Sequence, residues 1–153
     1  MLHIIFLTPE IPGNSGAAIR LAACTGAHLH LVEPLGFDMD DAKLRRAGLD
    51  YHDLAHVTIH PDLDHALAQV PGNVWALTGH ATRHITDVTY HDGDGLLLGR
   101  ESTGLPPEAL THPRVTDHLR IPMVEGIRSL NLANSASIAL YEAWRQLNFF
   151  GAV

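Results

Sequence analysis

Six short, β-prone apolar runs punctuate the chain, at residues 3–7, 29–32, 57–59, 74–77, 96–98 and 118–121, with segments able to form helices between them. Each run is too short for a helix and is bounded by turn formers, so each reads as a strand. Strands joined through helices run parallel, because the crossover returns the chain to the same end of the sheet. The expectation is an α/β fold, a mostly parallel sheet flanked by helices, with ligands gathering at the carboxyl ends of the strands. At 153 residues, 46% of them apolar, the chain can bury one continuous core and reads as a single domain over residues 1–153.

Three helices have readable ends. Asn14 is placed to cap a helix that runs through Ile19, Leu21 and Ala22. Asp40 and Asp41 lead into a second helix carrying Lys43, Arg45 and Arg46, with Gly48 as its stop, so that acid precedes base as the helix dipole prefers. A third, over residues 131–147, sets Leu132, Ala136, Ala139, Leu140, Ala143 and Leu147 on one stripe, whose small residues allow another helix of the same chain or of a partner to approach closely.

Composition excludes some classes of function. The opening Met1-Leu2-His3-Ile4-Ile5-Phe6-Leu7 is apolar but short and lacks a basic leader, so neither a signal peptide nor a membrane span is expected. One cysteine, Cys24, forbids an intrachain disulfide and agrees with a reducing, cytoplasmic setting. A formal charge of −7 argues against holding nucleic acid by bulk electrostatics. Nine of the ten basic residues are arginine, however, and Arg20, Arg100 and Arg128 stand at glycine-rich turns, with Arg45-Arg46 as a further pair. Arginine suits directed, two-pronged phosphate contacts, so a local basic surface remains open, more so if two chains pool their arginines.

Three clusters have the composition of a site: residues 14–20 (NSGAAIR), residues 99–106 (GRESTGLP), and Ile121-Pro122-Met123 with the following residues 128–134 (RSLNLAN). Two follow strands directly, where glycine lets backbone N–H and C=O groups approach a ligand; Gly16 and Gly104 have left-handed turn geometry as the competing reading. Among twelve histidines, His52, His56 and His60 have a suggestive spacing, but residues 57–59 read as strand and no Cys or Glu completes a zinc set, so no metal is expected. Trp75 and Trp144 read as core or interface.

In this order the three clusters resemble the motifs of the SPOUT superfamily, specifically its TrmH-like RNA 2′-O-methyltransferases. The resemblance continues through residues 45–52 (RRAGLDYH) and 141–147 (YEAWRQL), where it looks like the small bacterial enzymes acting on the ribose of the tRNA wobble nucleotide, and it covers nearly the whole chain. It implies a deep trefoil knot in the C-terminal part, a homodimer through the C-terminal helix, and S-adenosyl-L-methionine held by backbone at Leu77, Gly99, Ile121 and Ser129. It implies methyl transfer to a wobble cytidine or uridine of tRNA, leucine type by family analogy, with another tRNA or rRNA ribose, or a noncatalytic RNA-binding dimer, as alternatives. Arg20 is carried over to the catalytic centre, as base or, since a guanidinium stays protonated, as the group that fixes the target phosphate. Asn14, Glu101, Ser129 and Asn131 complete the candidate catalytic set, with Glu101 orienting Arg20 or Arg128, or capping a turn. Arg20, Arg45, Arg46 and Arg128 are the candidate RNA contacts. Ala17 departs from the asparagine frequent in relatives, and Gly99 is expected to clear room for the cofactor.

Overall fold

The computed structural model describes residues 1–47 and 56–153. Its elements are β1 (His3–Leu7), α1 (Pro12–Thr25), β2 (His28–Val32), α2 (Ala42–Arg46), β3 (Val57–His60), α3 (Leu63–Ala68), β4 (Val74–Leu77), β5 (Gly95–Leu98), α4 (Pro107–Leu110), β6 (Val115–Leu119) and α5 (Leu132–Gln146). Six strands form one sheet in the order β3-β2-β1-β5-β4-β6, and every pairing between them is parallel. Strand order reverses between β1 and β5, so the loops that follow these two strands part at the carboxyl edge of the sheet.

Side-chain alternation builds a core on each face. Ile4 and Phe6 of β1 join Leu29, Leu31, Leu96 and Leu98 beneath α1 and α5, while Ile5 and Leu7 join Val32, Val74 and Leu97 beneath α3 and α4. Central parallel strands are covered on both faces and therefore read as continuous apolar runs, as β1 does. On α5, Ala136, Ala139, Leu140 and Ala143 are fully buried, which realises the expected stripe; Leu132 and Leu147 pack at its margins. Small side chains bring α5 against α1 and β5.

The structure moves several expected boundaries. The last strand runs from Val115 to Leu119, beginning three residues and ending two residues earlier than its apolar run suggests. As an edge strand paired only with β4, it tolerates Thr116, Asp117 and His118, and Asp117 instead meets Arg83. Residues 78–94, between β4 and β5, contain no helix, breaking the expected alternation. Their threonines, glycines and aspartates favour turns, and Tyr90 fastens them by donating its hydroxyl to the Ile85 carbonyl at 2.6 Å. Asn14 is not a cap: α1 starts earlier, with Ile11 as N-cap and Pro12 in the first turn, where a missing N–H costs nothing. Asp41 does cap α2, accepting from the Lys43 N–H at 2.7 Å, and Asn131 caps α5, accepting from Asn134 at 3.1 Å. Gly48 and the remainder of residues 48–55, including His52, lie outside the described residues.

Gly16 is neither a turn nor a ligand glycine. It lies inside α1, where a Cβ would come within 2.5 Å of the Leu44 carbonyl oxygen and 2.6 Å of the Ala47 Cβ, so its missing side chain lets α2 pack on α1. Gly104 does take the left-handed conformation, at φ +70°.

Candidate active site

The carboxyl edge of the sheet gathers the three motif clusters through one hydrogen-bonded chain. Glu101, in the loop after β5, accepts from the backbone N–H of Glu10 at 2.8 Å and of Ile11 at 2.7 Å. Its second oxygen also accepts from the Asn14 amide at 3.2 Å. The Asn14 carbonyl oxygen in turn accepts from the Asn131 amide at 2.9 Å. Three segments separated by 87 and 117 residues thus meet through Asn14, which is buried although polar. Buried polar side chains stabilise only when paired, and Asn14 has both ends of its amide paired.

Among the described residues no ion pair joins Glu101 to Arg128, one of its expected partners; its carboxylate sits on the N–H groups just before α1, where a negative charge also meets the positive end of the helix. In many doubly wound sheets this is where a ligand phosphate binds; here the chain fills it with its own acid. A reciprocal clasp lies beside it: one oxygen of Glu10 accepts from the Ser102 N–H at 3.0 Å and hydroxyl at 2.6 Å, and these bonds hold the Glu10 carboxyl below its ordinary range. Across the same gap Arg100 donates from Nε to the Thr8 hydroxyl at 2.8 Å. Thr8, Glu10 and Ser102 escape sequence reading because nothing local marks contacts that span about ninety residues.

The candidate cofactor positions fall on the other half of the edge. Gly99 follows β5, Leu77 ends β4 and Ile121 lies two residues beyond β6, and these three strands are neighbours in the sheet. Leu77 and Ile121 are partly buried against the core beneath α1 and α5, giving apolar walls. Gly99 needs correction: a Cβ there would lie 2.3 Å from the Gly104 carbonyl carbon and 2.4 Å from the Leu105 nitrogen, so its absence makes room for the chain's own loop. Ser129 stands exposed in the loop between β6 and α5. No hydrogen bond among the described residues ties residues 121–130 to the rest of the chain, which leaves their peptide groups to a ligand. A cleft of about 420 Å³ opens along this loop, lined by Arg120, Met123, Glu125 and Ile127 and by His84 opposite. This donor set fits a small ligand read by backbone groups, the kind of cradle an adenosine-bearing cofactor takes.

The arginines scatter more widely. Arg20 is exposed, six residues beyond Asn14 on α1, and Arg128 is exposed beside Ser129. Arg45 and Arg46 sit at the solvated end of α2, and Arg45 pairs with Asp40 at 3.2 Å. His60 lies on β3, not on a helix, and bonds to another buried histidine, so its spacing from His56 makes no helical ligand pair. No set of three metal-ligating side chains is arranged for an ion among the described residues.

Comparisons with known proteins extend over the same residues. Residues 1–141 match the family model described as the SpoU rRNA Methylase family. The chain is 49% identical over 154 residues to an Escherichia coli K12 protein named tRNA (cytidine(34)-2′-O)-methyltransferase, covering 100% of this chain and 98% of that one. A Saccharophagus degradans protein of the same name is 47% identical, with 99% of each chain covered. Among solved structures, one described as giving insight into 2-OH methylation of C/U34 on tRNA superposes with a TM-score of 0.89 at 42% identity, covering 97% of each chain. The SpoU methyltransferase AviRb from Streptomyces viridochromogenes, in complex with AdoMet, superposes at 0.84 with 29% identity over 97% of this chain and 61% of that one.

Proposed function

The chain belongs to the SpoU rRNA Methylase family, and from that premise we propose that it methylates the ribose 2′-hydroxyl of the wobble nucleotide, cytidine or modified uridine, in tRNA anticodons, with leucine tRNA as its substrate. The observation that carries this reading is full-length similarity to proteins named for the reaction, running through every segment that meets at Asn14. S-adenosyl-L-methionine, when bound, supplies an activated methyl group. Leu77, Gly99, Ile121 and Ser129 would hold it, by peptide groups at the ends of β4 and β5 and in the loop after β6.

The remaining work falls to this chain's side chains. Methyl transfer to a hydroxyl needs in-line placement of the oxygen and removal of its proton. Arg20 and Arg128 fix the phosphates flanking the target, and Arg20 stabilises charge that develops as the proton leaves; Arg45 and Arg46 extend RNA contact from the end of α2. Asn14 is the positioning residue at the junction, its amide fixed by Glu101 on one side and Asn131 on the other. Ser129 lies next to Arg128, within the loop that would close over the cofactor.

The reading includes a deep trefoil knot in the C-terminal part, with α5 its final segment, supported by the SpoU neighbours in structure. It also includes a homodimer through α5. A groove of about 690 Å³ runs between the end of α1 and α5, lined by Leu140, Tyr141, Trp144, Leu147 and Phe150, and Ile138, Tyr141 and Phe150 leave apolar surface exposed beside it. A cytoplasmic setting follows from a tRNA substrate, and no helix among the described residues is long and apolar enough to cross a membrane.

Mapping ribose methylation in tRNA from cells with and without the gene tests the proposal. Loss of methylation at the wobble nucleotide of leucine tRNA is expected. An unchanged wobble nucleotide beside a lost methyl elsewhere in tRNA or rRNA would redirect the reading, and no change anywhere would favour a noncatalytic RNA-binding dimer.

A further inference from the structure

The chain order reverses between β1 and β5, and Arg100 sits at the carboxyl end of that boundary. Its Nε is engaged by the Thr8 hydroxyl at 2.8 Å, so the guanidinium is braced across the two strands. Thr8 itself holds φ at +48°, a backbone region that β-branched residues rarely adopt. The candidate cofactor positions occupy the β5-β4-β6 half of the same edge. A polynucleotide whose ribose faces them and which continues over the β1 half meets Arg100.

Four of the other arginines are held by groups of the chain itself. Arg83 pairs with Asp117, Arg45 with Asp40 and Arg145 with Glu142, while Arg114 is held by the carbonyls of Val70 and Gly72. Arg100 has no carboxylate within ion-pair distance among the described residues, and its two terminal amino groups make no hydrogen bond there. Glu10 is near enough to feel its charge, but the Glu10 oxygen that bonds is already occupied by Ser102. A half-buried guanidinium with Nε braced and both ends free presents two parallel donors, the geometry that fits two oxygens of one phosphate.

We propose that Arg100 binds a backbone phosphate of the RNA, on the β1 side of the reacting ribose, and so sets the register of the strand against the methyl donor. This rests on the reading that RNA is the substrate. The test uses the full-length protein, labelled S-adenosyl-L-methionine, and bulk tRNA from cells lacking the gene, comparing wild type with Arg100→Gln, Arg100→Lys and Thr8→Val. Arg100→Gln should raise KM for tRNA about tenfold, leave kcat and cofactor Kd within about twofold, and lower the slope of log KM against log salt by about one. Arg100→Lys, which keeps the charge, should retain the wild-type salt slope and lose less affinity. Thr8→Val, which frees the guanidinium, should raise KM about twofold with the slope unchanged.

Wild-type KM and salt slope in Arg100→Gln would overturn the proposal. So would equal damage by all three variants accompanied by a matching fall in Tm, since that would mark the brace as structural only. A wild-type protein that methylates no tRNA would instead overturn the RNA reading beneath it.

Discussion

Two polar chains among the described residues bridge distant parts of this molecule, and they differ in what they leave unfinished. At the carboxyl edge, Glu101, Asn14 and Asn131 join three distant segments through a carboxylate and two amides. On the opposite half of the sheet, beneath α3, His3, His30 and His60 form a row over β1, β2 and β3: His30 accepts or donates at 2.9 Å to His3 and at 2.8 Å to His60. His28 lies against His30 with ring centroids 4.7 Å apart and bonds to the Thr58 hydroxyl at 2.6 Å. The histidine row is 9%, 1% and 3% exposed, so its rings answer only to each other. The edge chain instead ends at exposed Asn131, the N-cap of α5, and at the start of α1, beside Arg100. One network closes on itself and can only hold the strands together; the other stays open toward solvent and can hold something else.

Substitutions should separate the two. Glu101→Ala strips the N–H groups before α1 and the Asn14 amide of their acceptor, and should cut methyl transfer at least a hundredfold at saturating cofactor while costing about 1–3 kcal/mol of stability. Activity assays and urea unfolding on the same preparation check this; full activity would place the edge chain with the histidines as scaffold. His30→Ala should do the reverse, destabilising by about 2–4 kcal/mol because it opens a cavity and strands two ring nitrogens, with kcat within about twofold below the melting temperature. A kcat loss larger than the loss of folded protein would erase the distinction.

Acid sharpens the contrast further. Burial first, and then neighbouring His28, push His3 down to about 4; burial, with His28, His3 and His60, pushes His30 down to about 3. His28 and His60 are lowered as well, again mainly by burial. Below the ordinary value of 6.5 the unfolded chain takes up protons that the folded rings refuse. Stability is therefore complete above about pH 6.5 and falls as pH drops toward 4, by about 1.4 kcal/mol per pH unit for each of His3 and His30. Urea midpoints between pH 7 and 5 should fall steeply in the wild type and less so in His30→Leu; parallel slopes would show that the row is not the acid-sensitive element. The smallest effect belongs to Ser15, next to Asn14 in sequence, whose fully buried hydroxyl has no hydrogen-bond partner among the described residues. Ser15→Ala should be neutral or stabilising by up to about 1 kcal/mol, measured by thermal melting, with activity unchanged.

Sequence patterns reached the scaffold further than the contacts. Five strands appear within a residue or so of their apolar runs, four of them because central parallel strands must be apolar on both faces, whereas β6 slipped because an edge strand can be polar. Asn14 shows the limit: asparagine before a helical stretch looks like a cap, while its partners lie 87 and 117 residues away. Gly99 was legible as a glycine that must stay one, but only coordinates reveal that Gly104 and Leu105 fill the space. The histidine row was legible in principle. His28 and His30 alternate along one strand face, but the rings of neighbouring strands become visible only once register pairs His3 with His28.

The carboxylate of Glu101 at the head of α1 also decides where on this edge an anion can settle. A helix end with open N–H groups attracts phosphate of any origin, free nucleotides included. Here the N–H groups of Glu10 and Ile11 already face the chain's own negative charge, and the guanidinium of Arg100, one residue away and braced on Thr8, is left to meet phosphate on that side. The docking point is thereby moved from a helix end, which any anion satisfies, to a side chain whose planar fork fits a phosphate in few orientations.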